Sequence, residues 1–150
     1  MLSAAHTIIS LPFGLLLQHP AFSFIAAFCM HILCDMMLHW NIYPHHYKRY
    51  PFVRVAIDIG SGLLLAYFIL GNSFFALPVL SAIAGGNAPD VLHGIWSFLS
   101  DPAKKRIPAW IQKWFFIHEK VQWETESPLL GGLSQIIIGG AAIIIVLYLR

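Results

Sequence analysis

From residue 129 to residue 149 the chain carries no charged side chain. As a helix rising about 1.5 Å per residue, this run covers the roughly 30 Å of a bilayer's hydrocarbon core. A spanning segment must satisfy its own backbone polar groups, and a helix does so. Other apolar stretches accompany it, at about residues 3–18, 21–40, 53–70 and from 74 onward. A globular soluble domain has about a quarter of its residues charged. Here 58% of the 150 residues are hydrophobic and 11% are charged. The expected fold is therefore all-α, a polytopic membrane helical bundle of about five spans in one domain covering residues 1–150.

The spans differ in quality. The first is short and is interrupted by Pro12 and Gly14. Gln18-His19-Pro20 and Gly71-Asn72-Ser73 read as tight turns. The fourth span is expected to break at Gly85-Gly86-Asn87-Ala88-Pro89-Asp90, with a helix restarting on an Asn87 or Asp90 cap. Residues 100–127 are the most polar segment. Their Trp110, Trp114, Phe115, Phe116 and Trp123 predict an interfacial helix on the membrane surface. Gly131, Gly132, Gly139 and Gly140 would let the last span approach a neighbour closely. Cys29 and Cys34 share one apolar helix and form no disulfide framework.

Lys48 and Arg49 lie in one long loop, and Lys104, Lys105, Arg106, Lys113 and Lys120 in another. Two spans separate the loops, so both lie on one side, and the positive-inside rule makes that side cytoplasmic. The N-terminus then also faces the cytoplasm, and no signal peptide is read at it. The expected location is the inner (plasma) membrane. The net charge of +2, split into these clusters, argues for topology and against nucleic-acid binding. Membrane lipids are the expected partners, with a homo-oligomer left open.

Within the second span, His31, Asp35 and His39 recur every fourth residue. On a helix these drift by only about 80° over about 12 Å, so they form one polar stripe on an otherwise apolar surface. His6 lies near the cytoplasmic start of the first span. Asp58 lies about 9 Å into the third from the same side. Asn87, Asp90 and His93 follow most of the fourth span, and His118 and Glu119 lie in the cytoplasmic segment. Several spans thus place ionisable residues in one leaflet.

An Asp in the bilayer centre costs at least about 2.5–3.5 kcal/mol. Histidines and aspartates without matching Lys or Arg point to a cation as the missing partner. Imidazole and carboxylate suit a divalent metal, zinc first, with manganese, iron or nickel also suited. The candidate metal ligands are His6, His31, Asp35, His39, His93 and His118. Asp58 and Asp90 are the candidate catalytic carboxylates, as ligand or general base. Simpler readings exist for several: Asp58 paired with Arg54, Asp90 as a helix cap, His45 and His46 as loop residues. Alternatives for the whole cluster are a proton- or metal-coupled transporter or relay, a b-type haem protein with two axial histidines, and a non-catalytic assembly subunit whose polar residues bind helices together. Against a relay, the outer halves of the spans are almost purely apolar.

The motifs AAHTIISLPFGLLL, HILCDMMLHW and GGNAPDVLHG resemble those of small bacterial integral-membrane metal-dependent hydrolases related to a LexA-regulated inner-membrane family. The resemblance covers most of residues 1–118 loosely. It implies metal-dependent hydrolysis, of an ester or phosphoester. That family shows Pro-Asp, an apolar residue, then Asp-His. Here Pro89-Asp90-Val91-Leu92-His93 has Leu92 at the second Asp, so one ligand or the base is either missing or supplied by Asp35 or Asp58.

Overall fold

The computed structural model describes residues 1–42 and 51–150, and His45, His46, Lys48 and Arg49 lie outside the described residues. The described chain is helical: α1 (Ser3–Leu17), α2 (Pro20–Asp35), α3 (Pro51–Leu70), a 3-10 turn (Gly71–Phe75), α4 (Leu77–Phe98), α5 (Asp101–Lys105), α6 (Ala109–Val121) and α7 (Pro128–Leu149). Among the described residues there is no strand, only an isolated bridge between His39 and Glu124. Prolines in the first turn open α2, α4, α5 and α7, where the missing N–H costs nothing. Gln18 closes α1 in the left-handed region (φ 49°) and turns the chain into α2.

α1 is the central helix. It packs against α2, α3, α4 and α7. An unbroken run from His6 to Pro12 is buried. A helix apolar all round suits such a position better than an amphipathic one. Its N-terminus has no cap of its own and borrows acceptors from its neighbours. The Ser3 and Ala4 N–H groups donate to Asp58 of α3 (2.9 and 3.1 Å), and the Leu2 N–H donates to Gln135 Oε1 of α7 (2.8 Å). The apolar core draws on five helices, through Ile8, Leu11, Cys34, Ala66, Val79 and Val146 among others.

Two helical stretches, Phe52–Phe75 and Pro128–Leu149, are long and apolar enough to cross a membrane. They expose large apolar side chains, including Phe68 (73%) and Ile136 (72%). α1 and α2 are apolar but shorter.

The structure corrects the expected elements in several places. α4 does not break at Gly85–Asp90 but runs through it with Pro89 inside. A helical proline crowds the carbonyl four residues earlier, and here that residue is Gly85. Gly85 and Gly86 also allow close packing, since a Cβ at Gly85 would meet the Phe24 backbone of α2 and one at Gly86 would meet Ser10 of α1. Packing on α1 and α2 thus overrides the local break. α2 ends at Asp35 rather than near residue 40. Beyond it the chain pairs with the segment after α6: Trp123 N donates to Asp35 O (2.9 Å), His39 N to Trp123 O (3.0 Å) and Thr125 N to His39 O (2.9 Å). The polar segment holds two helices, α5 and α6, instead of one. In α7, Gly131 sits tightly on the His39–Trp40 backbone, whereas a Cβ at Gly132, Gly139 or Gly140 would meet nothing within 4 Å.

Candidate metal centre

Three helices bring His31, Asp35, Asp90 and His118 together, with one ligand atom from each lying within 4.8 Å of all the others. α2 supplies His31 and Asp35 one turn apart, as their spacing predicts. α4 supplies Asp90 and α6 supplies His118. α1 adds His6, whose ring stacks on His31 at 3.8 Å. The imidazole column continues from His31 to His118 (5.5 Å) and on to Trp114 (5.3 Å). His6, His31, Asp35, His39 and His118 are all buried. The Asp90 side chain is 25% exposed.

Hydrogen bonding fixes which nitrogens face the cluster. His31 Nδ1 lies 2.6 Å from the Gly86 carbonyl. A carbonyl only accepts, so Nδ1 carries the proton, and Nε2 of a neutral ring presents a lone pair. That lone pair faces Asp35 Oδ2 at 3.1 Å, Asp90 Oδ1 at 3.6 Å and His118 Nε2 at 3.4 Å. His118 Nε2 is 3.7 Å from Asp35 Oδ2. Acceptors gathered this closely need a proton or a cation between them. Zinc bonds of about 2.0–2.1 Å to nitrogen and oxygen give tetrahedral edges of roughly 3.4 Å, close to the 3.1, 3.4, 3.6 and 3.7 Å separations here. The backbone bond at His31 Nδ1 is the outer support that orients a metal-ligating imidazole. The donor set therefore fits a divalent ion.

His39 behaves in the same way. Its Nδ1 donates to the Met37 carbonyl (2.8 Å), and its buried Nε2 has no hydrogen-bond partner. That nitrogen lies 3.8 Å from Asp35 Oδ1 and 3.6 Å from Glu124 Oε1. His6 Nε2 reaches Asp35 Oδ1 (3.1 Å) and Asp90 Oδ2 (3.8 Å). The Met1 amino group also contacts Asp35 Oδ1 (2.8 Å). His118 lies on α6, outside the two long apolar helices. Burial pushes its imidazole below its usual value; nearby Asp90 opposes this and His31 adds to it. A neutral ring at neutral pH can ligate a cation.

Two residues expected at the site stand outside this group. Asp58 holds the α1 N-terminus through Ser3 and Ala4. His93 packs beside His118 (5.5 Å) and Phe115 (6.0 Å), on α4 one turn past Asp90. Both line a cavity of about 560 Å³ whose wall also includes Asp90, Phe52, Phe98 and Glu124. Asn87 caps no helix. Its amide donates to Thr7 Oγ1 (3.1 Å) and Ile83 O (2.9 Å), tying α4 to α1. Sequence reasoning missed Glu124 and the Gly86 carbonyl. Glu124 reaches the site only through the pairing of the two post-helical segments, which no local spacing reveals.

Comparison of this chain with protein-family models, with curated proteins and with solved structures finds no match.

Proposed function

We propose that this chain is a multi-pass inner-membrane protein that hydrolyses a lipid or other amphiphilic ester or phosphoester at a metal centre held by His31, Asp35, Asp90 and His118. One observation carries the reading: buried acceptor atoms from three helices converge at metal-ligand separations, and the set meets a cavity wall through the partly exposed Asp90. Zinc is the first choice for the donor set, and manganese, iron or nickel also suit it. When bound, such an ion supplies Lewis acidity and an activated water at neutral pH.

The chain's own residues would divide the remaining work. His31, Asp35 and His118 are the buried holders, and Asp90 faces the cavity. Of the other carboxylates on that wall, Asp58 is engaged by two backbone N–H groups, which leaves Glu119 and Glu124 as the freer proton acceptors. The wall from α3 and α4 offers Phe52, Val55, Ile59, Val91 and Phe98, which suit an acyl chain. The lipid-like exposure of α3 and α7 supports the membrane setting. In that setting the five longest helices, α1 to α4 and α7, make up the bundle and α6 covers its cytoplasmic end, the side of Lys104, Lys105 and Arg106. The resemblance to membrane metal-dependent hydrolases points the same way.

A second reading has a specific observation in its favour. Four protein ligands complete a tetrahedron, as structural zinc sites do, and would make the centre a brace for an assembly subunit. A bis-histidine haem is less compatible with His6 and His31, because rings stacked at 3.8 Å leave no slot between them for a macrocycle. The deciding assay offers the metal-loaded protein in detergent a panel of lipid esters and phosphoesters. Turnover that is lost on chelation and in Asp90→Asn is expected. A folded, metal-loaded protein that turns over none of them overturns the hydrolase in favour of the brace.

A further inference from the structure

Asp35 and Asp90 each divide their two oxygens between two sets of histidines. Asp35 Oδ2 faces His31 and His118 (3.1 and 3.7 Å), while Oδ1 faces His6 and His39 (3.1 and 3.8 Å). Asp90 Oδ1 faces His31 (3.6 Å), while Oδ2 faces His6 (3.8 Å). The same two carboxylates thus touch both sets. We infer that the centre is dinuclear: a second divalent cation binds on the Oδ1 side of Asp35, held by His6 and His39, with Asp35 and Asp90 bridging the two ions. This rests on the metal-centre reading above and adds a second ion to it.

His39 supplies an independent observation. Its side chain is wholly buried and its Nδ1 proton is committed to Met37 O. In the neutral ring its Nε2 is therefore a lone pair, without a hydrogen-bond partner, facing Asp35 and Glu124. A buried acceptor without a donor carries its full desolvation cost, and a cation relieves it. His31 and His39 share one design, with Nδ1 anchored on a backbone carbonyl and Nε2 turned inward, as metal-bound histidines are held. Glu124 Oε1, 3.6 Å from His39 Nε2, offers a further oxygen on the cavity side. The Met1 amino group, 2.8 Å from Asp35 Oδ1, is the positive charge that the second ion would have to displace. Sites with two ions about 3.5–4 Å apart clamp both oxygens of a displacement at phosphorus or carbon, which suits either class of the proposed substrates.

The test loads the full-length protein in detergent with Mn²⁺, measures metal per chain by elemental analysis and records the electron paramagnetic resonance spectrum. Two ions per chain with an exchange-coupled spectrum are expected. His39→Gln should hold one ion and show the six-line pattern of isolated Mn²⁺. Glu124→Gln, at a partly exposed position that folding tolerates, should weaken the second ion at least tenfold and leave the first. One ion in the wild type with an uncoupled spectrum overturns the dinuclear centre and leaves the single-ion reading standing. No ion in the wild type overturns both.

Discussion

His31 Nε2 and Asp35 Oδ2 face each other across 3.1 Å, one turn apart on α2, while the opposite nitrogen of the same imidazole is bound to the Gly86 carbonyl of α4. The second contact gives the first its meaning. It fixes the tautomer, so the ring meets the carboxylate with a lone pair unless a proton or cation intervenes. It also ties the orientation of a ligand on α2 to the position of α4.

Gly86→Ala should therefore disturb the centre through packing. The new methyl would meet Ser10 Oγ and push α4 from α1. Overpacking of this kind costs about 1–3 kcal/mol, and displacement of the Gly86 carbonyl should weaken metal binding about 10- to 100-fold. Gly94→Ala on the same helix, where a Cβ meets nothing within 4 Å, is the control and should be neutral to slightly stabilising. Thermal melts and metal titrations of both variants check this, and equal behaviour of the two would contradict it.

Asp58→Asn separates an anchoring role from a ligand role. Asp58 accepts from Ser3 N and Ala4 N, so the variant should lose about 1–2 kcal/mol, as lost helix caps do. Its metal content should stay unchanged. Loss of metal from the folded variant would place Asp58 in the centre instead.

Acid should strip the metal. Burial holds His118 below its ordinary value, so the folded chain takes up that proton at lower pH than the unfolded chain does. The stability this represents is present above the unfolded value of about 6.5 and is lost as the pH falls from there toward the folded value. Protons also compete with the ion for imidazole. Metal content after equilibrium dialysis should be level at neutral pH and fall on acidification below about pH 6.5. Tighter retention in acid would count against His118 as a ligand.

The membrane setting is checked on α7. Ile136 is 72% exposed in the isolated chain. Facing lipid, Ile136→Arg should cost at least about 2.5–3.5 kcal/mol of insertion and lower the membrane-inserted fraction. The wild type should stay in the pellet after alkaline carbonate extraction, and its release into the supernatant would contradict the bundle.

Much of this was legible in the residues. The apolar runs announce the helices, and His31 and Asp35 do share a helix face. Matching depths along separate runs put His6, Asp35, Asp58, Asp90, His93 and His118 at one level, and the fold draws His6, Asp35, Asp90 and His118 of these into one cluster. What was not legible depends on contacts distant in sequence. Pro89 and the paired glycines look like a break because local propensity cannot register the Phe24 backbone and Ser10 that press against them. His39 reaches Asp35 although α2 has already ended, because the chain beyond it pairs with residues 123–125. That pairing also delivers Glu124. Asp58 has the chemistry of a ligand and the contacts of a helix anchor, and only the placement of α1 distinguishes the two.

The most direct measurement is elemental analysis of the detergent-purified, metal-reconstituted protein beside Asp35→Asn. Asp35 touches every histidine of the centre, so the wild type should retain at least one divalent ion per chain. The folded variant should lose it by more than about tenfold in affinity. A folded wild type that retains no metal, or a variant that retains as much as the wild type, would contradict the account.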